Sequence, residues 1–332
     1  MIEKGIATLL IEFQFKKAIK KYFRGVKFDL ILYTTPPITF NNIIKELKQE
    51  HNSITYLMLK DIFPQNALDL GLIKSNSFLY RMFRKKEKEL YTISDFIGCM
   101  SQGNVDYLIE HEPSINQSKV GICPNAIEIS DRFSNLNRDF ILDKYSIPKD
   151  RTILIYGGNL GIAQGIPFLV EVLKSNKDRE EVFFIIVGSG NKDYLIQNWI
   201  NDKHPLNVKF IPMLNRSDYD LLEASCDIGM IFLDKRFTIP NFPSRMLAYM
   251  EARLPLLIAS DTVSDAGKLA AENGFGKWSQ AGDIESFNEN LNFYIREQLL
   301  CKEMGLKAYE YLLQNFSVRN SYQSIINACK HV

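Results

Sequence analysis

Several residue types that mark particular chemistries are scarce in this sequence of 332 residues. The five cysteines are widely spaced and form no Cys-x-x-Cys pair; they are Cys99, Cys123, Cys226, Cys301 and Cys329. This usage argues against a disulfide framework or a zinc knuckle, and indicates reduced, buried cysteines in a cytosolic protein. The four histidines show no metal-ligand spacing, so neither a metal site nor histidine-based nucleophilic catalysis is expected.

Long hydrophobic runs are also absent. The longest apolar stretches, such as 183–187 and 254–259, are far shorter than the roughly 20 residues that cross a bilayer, and the first residues do not show a short apolar run with a cleavage site. A hydrophobic content of 46% and a charged content of 24% are typical of a well-packed globular protein. The length is sufficient for two domains.

Acidic residues are few in the first part of the chain, where residues 1–90 hold 16 lysines and arginines against nine aspartates and glutamates. Apolar residues at helical spacing precede a run of lysines there, which predicts a basic amphipathic helix. Its apolar residues are Ile2, Ile6, Leu9, Leu10 and Phe13, and its lysines are Lys16, Lys17, Lys20 and Lys21. A second predicted helix carries the basic residues Arg81, Arg84, Lys85, Lys86 and Lys88 beside Phe78, Leu79, Met82 and Phe83.

Two interpretations of this basic region remain open. It either docks on an anionic membrane surface, where each basic residue contributes on the order of 1 kcal/mol, or forms a solvated helix face over a buried stripe. Nucleic acid is not an expected partner, because the chain is nearly neutral overall and shows no motif of aromatic and basic residues.

Strand-like runs alternate with helical patterns along the whole chain, which predicts an α/β fold with parallel sheets. The predicted strands are 28–33, 54–59, 96–100, 119–123, 152–156, 182–187, 208–211, 228–233 and 255–259. A polar stretch after Cys123 places the domain boundary before Arg151. The predicted domains are 1–135 and 150–314, with a last helix, 315–332, that returns to the first domain.

The second half contains two glycine-rich turns at consecutive strand ends, where close backbone approach and free amides suit phosphate oxygens. The turns are Gly157-Gly158-Asn159-Leu160-Gly161 and Val187-Gly188-Ser189-Gly190. Asp193 stands where a dinucleotide fingerprint would have its third glycine, which disfavours a dehydrogenase. A third loop, Pro240-Asn241-Phe242-Pro243-Ser244-Arg245, opens a helix whose early arginine suggests an anion there, although pairing with a surface carboxylate remains an alternative.

Together these segments resemble family 4 glycosyltransferases with the GT-B fold, especially bacterial members that build capsule, lipopolysaccharide and exopolysaccharide chains. The donor-half resemblance is carried by Gly158-Asn159-Leu160-Gly161-Ile162-Ala163-Gln164-Gly165, Phe210-Ile211-Pro212-Met213, and Pro243-Ser244-Arg245-Met246-Leu247-Ala248-Tyr249-Met250 ahead of Pro255. Thr34-Thr35-Pro36-Pro37 and Lys60-Asp61-Ile62-Phe63-Pro64-Gln65-Asn66-Ala67 resemble acceptor-side motifs. The fold that the resemblance implies has two Rossmann-like domains.

The resemblance implies transfer of a sugar, with retention, from a nucleotide-sugar donor to a lipid-linked or growing saccharide acceptor. A UDP-sugar is the expected donor, with no metal ion and no other cofactor. The implied donor-binding residues are Gly158, Asn159, Gly161, Gln164, Gly188, Met213, Leu214, Pro243, Ser244 and Arg245, with the backbone of Met213 and Leu214 at the base. The implied catalytic residues are Arg245, Asn159, Lys60 and Asp61. The expected location is cytoplasmic, peripherally bound to the inner face of the plasma membrane.

The sequence departs from the family in several respects. Ala248 stands where the wider family has a ribose-binding Glu, with Glu251 one helical turn further along, and Arg253 replaces a usual Gly. The first domain also lacks the strands that the resemblance leads us to expect before residue 28. The missing part would amount to roughly 60 to 90 residues on the usual size of such a unit, so the first domain is predicted to be incomplete, with an exposed sheet edge.

These departures leave open a non-catalytic or partner-dependent nucleotide-sugar-binding relative, and a protein partner that completes the first domain. A sugar-nucleotide epimerase of the same fold is a weaker alternative, because no acid and base pair is apparent.

Overall fold

The computed structural model describes residues 2–130, 132–133 and 136–330, with side chains from residue 10 onward. The side chains of Ile2, Ile6 and Leu9, and residues Ser134 and Asn135 of the predicted boundary, lie outside the described residues. The chain divides into two compact units. Unit 1 is Met1–Asn125, Thr238–Pro240 and Ser321–Val332, and unit 2 is Ala126–Phe237 and Asn241–Asn320. The change from unit 1 to unit 2 after Asn125 lies within the polar stretch between Cys123 and Arg151 and ten residues before the end of the predicted first domain at residue 135.

Unit 1 is an α/β unit whose described strands form a four-stranded parallel sheet in the order β1-β2-β3-β4. Its elements in chain order are α1 (Ile2–Tyr22), β1 (Leu30–Thr35), α2 (Asn41–His51), β2 (Ile54–Leu59), α3 (Gln65–Asp69), α4 (Phe78–Ile93), β3 (Phe96–Cys99), α5 (Gln102–His111), a short 3-10 helix (Gln117–Lys119) and β4 (Val120–Ile122). The predicted strands at 28–33, 54–59, 96–100 and 119–123 therefore correspond to β1 to β4.

The core of unit 1 lies between this sheet and its helices. Leu57, Leu59 and Ile97 on the central strands are almost fully buried, because both faces of a parallel sheet are covered. The last helix of the chain spans Val318–Cys329, and its Ile325 packs against Tyr56 and Cys123 of unit 1. Parallel strands end at one edge of the sheet, so the residues after β1 and β2 share that edge.

The described part of the first helix differs from one of the two interpretations of the basic region, a solvated face over a buried apolar stripe. Glu12 Oε1 of α1 accepts a hydrogen bond from the Ile43 amide at 2.9 Å, and Lys16 Nζ lies 2.6 Å from a carboxylate oxygen of Glu46, so α1 and α2 lie side by side and run in the same direction. Leu10 and Phe13, assigned to the apolar stripe, are 48% and 65% exposed. The contacts of α1 with α2 through Glu12 and Lys16 are polar, while Phe15 packs against Phe40, the residue before α2, with ring centroids 5.1 Å apart.

Unit 2 contains a six-stranded parallel sheet, counted over the described ranges, in the order β10-β9-β8-β5-β6-β7. Its elements in chain order are α6 (Arg138–Lys144), β5 (Thr152–Gly157), a short 3-10 helix (Ile162–Gln164), α7 (Ile166–Ser175), β6 (Val182–Val187), α8 (Asp193–Lys203), β7 (Val208–Ile211), α9 (Arg216–Ala224), β8 (Ile228–Phe232), α10 (Arg245–Glu251), β9 (Leu256–Ser260), α11 (Ala266–Glu272), β10 (Gly276–Gln280), α12 (Ile284–Arg296) and α13 (Gln298–Asn315).

The strand order of unit 2 reverses between the neighbouring strands β5 and β8. From β5 the chain continues to β6 and β7 towards one edge of the sheet, and from β8 it continues to β9 and β10 towards the other edge. In doubly wound sheets, ligands bind outside the carboxyl ends of the strands at such a reversal. The central strands β5, β6 and β8 are buried along their whole length, because their apolar runs meet helices on both faces. These buried strands therefore hold the ends of the loops that follow β5 and β8 in fixed positions.

None of the described helices has the length and apolar character that a membrane-spanning segment requires. The described residues also include no group of three or more histidine, cysteine or acidic side chains that could hold a metal ion. Four of the cysteines, Cys99, Cys123, Cys226 and Cys301, are buried.

Candidate functional site

A cavity of about 980 Å³ opens in unit 2 at the carboxyl ends of β5, β6 and β7 and beside the start of α10. Eight of the ten predicted donor-binding residues line it, namely Gly158, Asn159, Gln164, Gly188, Met213, Leu214, Ser244 and Arg245. The other two, Gly161 and Pro243, do not belong to its lining. Residues from three different loops and one helix are thus brought together around a single space.

Two glycine turns form the floor of this cavity. Gly158 and Gly188 have φ values of 123° and 146°, which side chains rarely adopt, and a Cβ at Gly188 would overlap the Gly158 carbonyl oxygen. The Gly158 amide donates to the Val187 carbonyl at 2.9 Å, and the Leu160 amide donates to the Ser189 carbonyl at 2.9 Å. The Gly158 amide is therefore engaged within the protein, so this glycine contributes room for a ligand rather than the free amide that the sequence suggested.

Arg245 begins α10 and reaches towards the first glycine turn. Its Nη2 atom donates to Gln164 Oε1 at 2.7 Å, and its guanidinium carbon lies 4.3 Å from the centroid of the Tyr156 ring. Its Nη1 atom is buried with no hydrogen-bond partner, and no carboxylate of the described chain forms an ion pair with this residue. A permanently charged group buried beside neutral partners alone calls for an anion.

Ser244 stands at the position before this helix but does not cap it with its side chain. Its backbone is already helical, with φ −60° and ψ −26°, and its side chain makes no capping hydrogen bond. The side chain is exposed and lines the cavity instead. Its hydroxyl is therefore free to meet a ligand.

The carboxylate of Glu251 is held within the protein. Its Oε1 atom accepts a hydrogen bond from the Ser130 amide at 3.2 Å, and its Oε2 atom forms an ion pair with Arg132. Arg132 also donates from Nη1 to Asp220 Oδ2 at 2.6 Å. Ala248 lines the same cavity, so the position where the family commonly has a carboxylate presents only a methyl group.

Tyr219 and Glu223 on α9 also line the cavity, and the sequence did not point to them. Burial raises the pKa of the Glu223 carboxyl to about 8. Glu223 is 1% exposed, and its Oε2 atom has no hydrogen-bond partner among the described residues. The signal was weak because two residues four positions apart on an amphipathic helix are equally compatible with a solvent-facing surface.

The predicted acceptor-side residues, Lys60 and Asp61, directly follow β2 in unit 1. Burial raises the pKa of the Asp61 carboxyl to about 6, although Asn66 Nδ2 donates to its Oδ2 at 2.6 Å. The Thr35 hydroxyl, at the end of β1, donates to the Asp61 carbonyl at 3.0 Å. The Lys60 ammonium is buried without a hydrogen-bond partner, and burial lowers its pKa.

The sequence of this chain matches a known family over most of unit 2. Residues 137–311, more than half of the chain, match the model of glycosyl transferases group 1. The chain belongs to this family. The resemblance to glycosyltransferases is therefore confirmed at the level of sequence.

Two relatives of this group 1 glycosyltransferase match both of its halves. The probable glycosyltransferase WbjE of Pseudomonas aeruginosa is 21% identical over 276 residues, which cover 83% of this chain and 68% of WbjE. WcaI of Escherichia coli (strain K12), assigned as a colanic acid biosynthesis glycosyl transferase, is 25% identical over 313 residues, which cover 92% of this chain and 74% of WcaI.

The solved structures that this group 1 glycosyltransferase resembles include Anabaena HepE in complex with UDP and with UDP-glucose. These two comparisons have TM-scores of 0.74 and 0.72 at 14% and 17% identity, and each covers 97% of this chain and 82% of HepE. At this identity the likeness establishes the fold alone, which is the GT-B fold of two Rossmann-like domains. The predicted fold class is confirmed.

Proposed function

We propose that this group 1 glycosyltransferase binds a nucleotide sugar, with UDP as the expected nucleotide, in the cavity of unit 2. The observation that carries the proposal is Arg245, whose buried guanidinium has no carboxylate partner among the described residues and lies against Gly158. A diphosphate would supply the missing negative charge. The complexes of HepE with UDP and UDP-glucose support this choice of ligand.

The reaction we propose is transfer of the sugar with retention at the anomeric carbon. The acceptor hydroxyl oxygen forms a bond to that carbon on the face that the diphosphate leaves, the bond between carbon and diphosphate oxygen breaks, and the departing diphosphate takes the hydroxyl proton. Arg245 and Asn159 stabilise the charge that develops on the diphosphate, because fixed donors in a cavity need no reorganisation at the moment of reaction. In this scheme the protein supplies that stabilisation without a metal ion or another cofactor.

The acceptor we propose is a lipid-linked or growing saccharide of a surface polysaccharide, such as a capsule or lipopolysaccharide. The assigned role of WcaI in colanic acid biosynthesis supports this class of product. Lys60 and Asp61 in unit 1 are the proposed acceptor-side groups. The buried, unpartnered Lys60 ammonium suits the phosphate of a lipid-linked acceptor, and the Asp61 carboxylate suits a hydroxyl.

An anionic membrane surface is the proposed docking partner of unit 1, with the protein on the cytoplasmic side of the plasma membrane. Exposed aromatic and aliphatic side chains accompany the lysines on α1 and just beyond it, including Phe13, Phe15, Tyr22 and Phe23. Lys17, Lys20 and Lys21 form no ion pair in the described chain, whereas Lys16 pairs with Glu46. Exposed apolar groups beside unpaired lysines are the features that bind an anionic interface.

A second candidate is a nucleotide-sugar-binding protein that is inactive alone or needs a protein partner. Ala248 offers no carboxylate to the ligand and Arg132 occupies that of Glu251, which favours weak or altered donor binding. On the partner side, β1 lies at an edge of the described sheet, with Leu32 47% exposed. Such an edge can pair with a strand of another chain.

A donor screen followed by a transfer assay separates these two candidates. Thermal unfolding is measured with a panel of nucleoside diphosphate sugars, since a ligand at 100 times its dissociation constant adds roughly 2.7 kcal/mol of stability. The stabilising donor is then incubated with a lipid-linked saccharide acceptor, and the product linkage is determined. Transfer that retains the anomeric configuration and survives a metal chelator supports the enzyme. Tight binding without transfer or donor hydrolysis favours the second candidate, and no binding by any nucleotide contradicts both.

A further inference from the structure

The helix α10 presents a row of residues to the cavity of unit 2. Arg245, Ala248 and Glu251 all line the cavity. Residues three apart in an α-helix lie on one face, about 4.5 Å apart along the axis, so the row extends about 9 Å from Arg245 to Glu251. A ligand that is anchored at Arg245 therefore has α10 beside it as far as Glu251.

Arg132 lies at the Glu251 end of this row and also lines the cavity. Its Nη2 atom donates to Glu251 Oε2, and its Nη1 atom donates to Asp220 Oδ2 on α9 at 2.6 Å. The Glu251 Oε1 atom accepts a hydrogen bond from the Ser130 amide at 3.2 Å, which ties the backbone close to Arg132 to α10. Two helices thus hold the Arg132 guanidinium in place.

The carboxylates of Glu251 and Asp220 are buried, whereas the Arg132 side chain is 33% exposed. An arginine carries five N–H groups in one plane, so its bonds to these two carboxylates do not exhaust its donors. The group that this end of the cavity offers to a ligand is therefore a hydrogen-bond donor rather than a carboxylate.

The charge of Arg132 is balanced, in contrast to that of Arg245. Glu251 and Asp220 both pair with Arg132, and Asp220 Oδ1 also forms an ion pair with Arg216 Nε at 2.8 Å. Two guanidinium groups and two carboxylates make this network neutral. A guanidinium that carboxylates already neutralise suits uncharged oxygen atoms such as hydroxyls, whereas the unpaired guanidinium of Arg245 suits a phosphate.

The uncharged group that adjoins the diphosphate of a nucleotide is the ribose, with its two hydroxyls. Met213 and Leu214, in the loop that leads into α9, line the same cavity and offer apolar surface to a base. Arg132 is bound to α9 through Asp220, one turn into that helix. Its contacts with α9 and α10 therefore place it where a nucleotide with its base at this loop and its diphosphate at Arg245 has its ribose.

We propose that Arg132 is a specificity-determining residue of the donor site, which donates hydrogen bonds to the ribose hydroxyls of the nucleotide. The proposal rests on the function proposed above, because it assumes that the diphosphate binds at Arg245. It adds to that function the recognition of the ribose by an arginine, in a site where Ala248 offers no carboxylate. Glu251 and Asp220 act through Arg132, because they hold its guanidinium beside the cavity.

The test compares UDP with its dideoxyribose analogue, which lacks both ribose hydroxyls and keeps the base and the diphosphate. Affinities of the full chain are measured by calorimetry. The wild type is expected to bind UDP about tenfold more tightly than the analogue, the worth of a hydrogen bond from a charged donor. Arg132→Lys should bind the two nucleotides about equally, because lysine has a single nitrogen, which the two carboxylates hold.

Arg138→Lys is the matched control. Arg138 is also an arginine of unit 2 that a carboxylate holds, with its Nη2 atom 2.9 and 3.0 Å from the two oxygens of Asp227, and it does not belong to the lining of the donor cavity. This variant should keep the tenfold preference for UDP. If Arg132→Lys does not fold, Arg132→Met combined with Glu251→Gln removes opposite charges together and should lose the preference as well.

Three results would overturn the proposal while leaving donor binding intact. These are a wild type that binds both nucleotides equally, an Arg132→Lys variant that keeps the preference for UDP, and an Arg138→Lys variant that loses it. Retention of the preference by Arg132→Lys with a loss of affinity for UDP-glucose alone would place the guanidinium at the transferred sugar instead. A wild type that binds neither UDP nor UDP-glucose contradicts the proposed function itself, and this inference with it.

Discussion

Arg245 donates from Nη2 to the side-chain carbonyl of Gln164 at 2.7 Å, so its clearest hydrogen bond in the described chain is to a neutral group. Its Nη1 atom is buried and unpartnered, and its guanidinium lies over the Tyr156 ring. A neutral amide and an aromatic face compensate a buried charge only in part. The charge of Arg245 therefore lowers the stability of the free protein, and a bound anion removes this destabilisation.

Replacement of Arg245 by methionine should separate stability from binding. We expect Arg245→Met to leave the free energy of unfolding unchanged or to raise it by about 1 kcal/mol, because a buried unpaired charge is exchanged for an apolar side chain of similar length. Donor binding, measured by calorimetry, should weaken by at least tenfold. The matched control is Arg179→Met, which removes an arginine paired with Glu181 away from the cavity. Donor affinity equal to that of the wild type would remove the main support for the proposed function.

Because the two glycine turns are in contact, the addition of a single methyl group at Gly188 should strongly lower the stability of the protein. Gly188→Ala places a Cβ on the Gly158 carbonyl oxygen and forces alanine to a φ of 146°, so a loss of about 2 to 4 kcal/mol in the free energy of unfolding is expected. Denaturant unfolding measures this loss. Gly121→Ala is the control, because a Cβ at that position meets no atom within 4 Å and should cost less than about 1 kcal/mol. Equal stability of the two variants would mean that the turns do not pack as described.

The sheets of this protein could be predicted because most strands are continuous apolar runs. The predicted strands 54–59, 182–187 and 208–211 agree with β2, β6 and β7 to the residue. The strand that was missed, β10, pairs only with β9 at the edge of the sheet and reads Gly276-Lys277-Trp278-Ser279-Gln280. Trp278 is the one large apolar residue of this strand, so its sequence carries no apolar run to detect, unlike that of β7 at the other edge.

Residues that line the cavity could be predicted where local chain geometry imposes a residue type or where a motif resembles the glycosyltransferase family. Gly158 and Gly188 were found because a strand followed by glycine marks a turn that side chains cannot adopt. Tyr219, Glu223 and Arg132 were not found, because their contacts join segments that are distant in sequence. No local spacing shows that Glu223 is buried or that Arg132 binds Glu251.

Removal of the unpaired lysines of α1 should release the protein from anionic membranes. Lys17, Lys20 and Lys21 changed together to glutamine should weaken binding to phosphatidylserine-containing vesicles by about a hundredfold, from about 1 kcal/mol for each charge. Co-sedimentation with vesicles measures this change. The control changes three lysines of unit 2, Lys174, Lys177 and Lys203, to glutamine. Unchanged vesicle binding of the α1 variant, or an equal loss in the control, would contradict docking through this helix.

The buried carboxyl of Asp61 predicts a pH dependence of transfer that is separate from donor binding. Burial raises its pKa to about 6, so the group is ionised above that pH and protonated below it. If the carboxylate accepts a hydrogen bond from the acceptor hydroxyl, kcat should fall as pH decreases through about 6, while donor affinity should not follow this titration. Asp61→Asn should lower kcat by about a hundredfold at neutral pH and abolish this inflection, with the KM for the donor unchanged.

The exposed Asp106, changed to asparagine, is the control and should keep the wild-type profile. A wild-type kcat that does not change between about pH 5 and about pH 7, or an Asp61→Asn variant that keeps the inflection, would show that Asp61 takes no part in the transfer step.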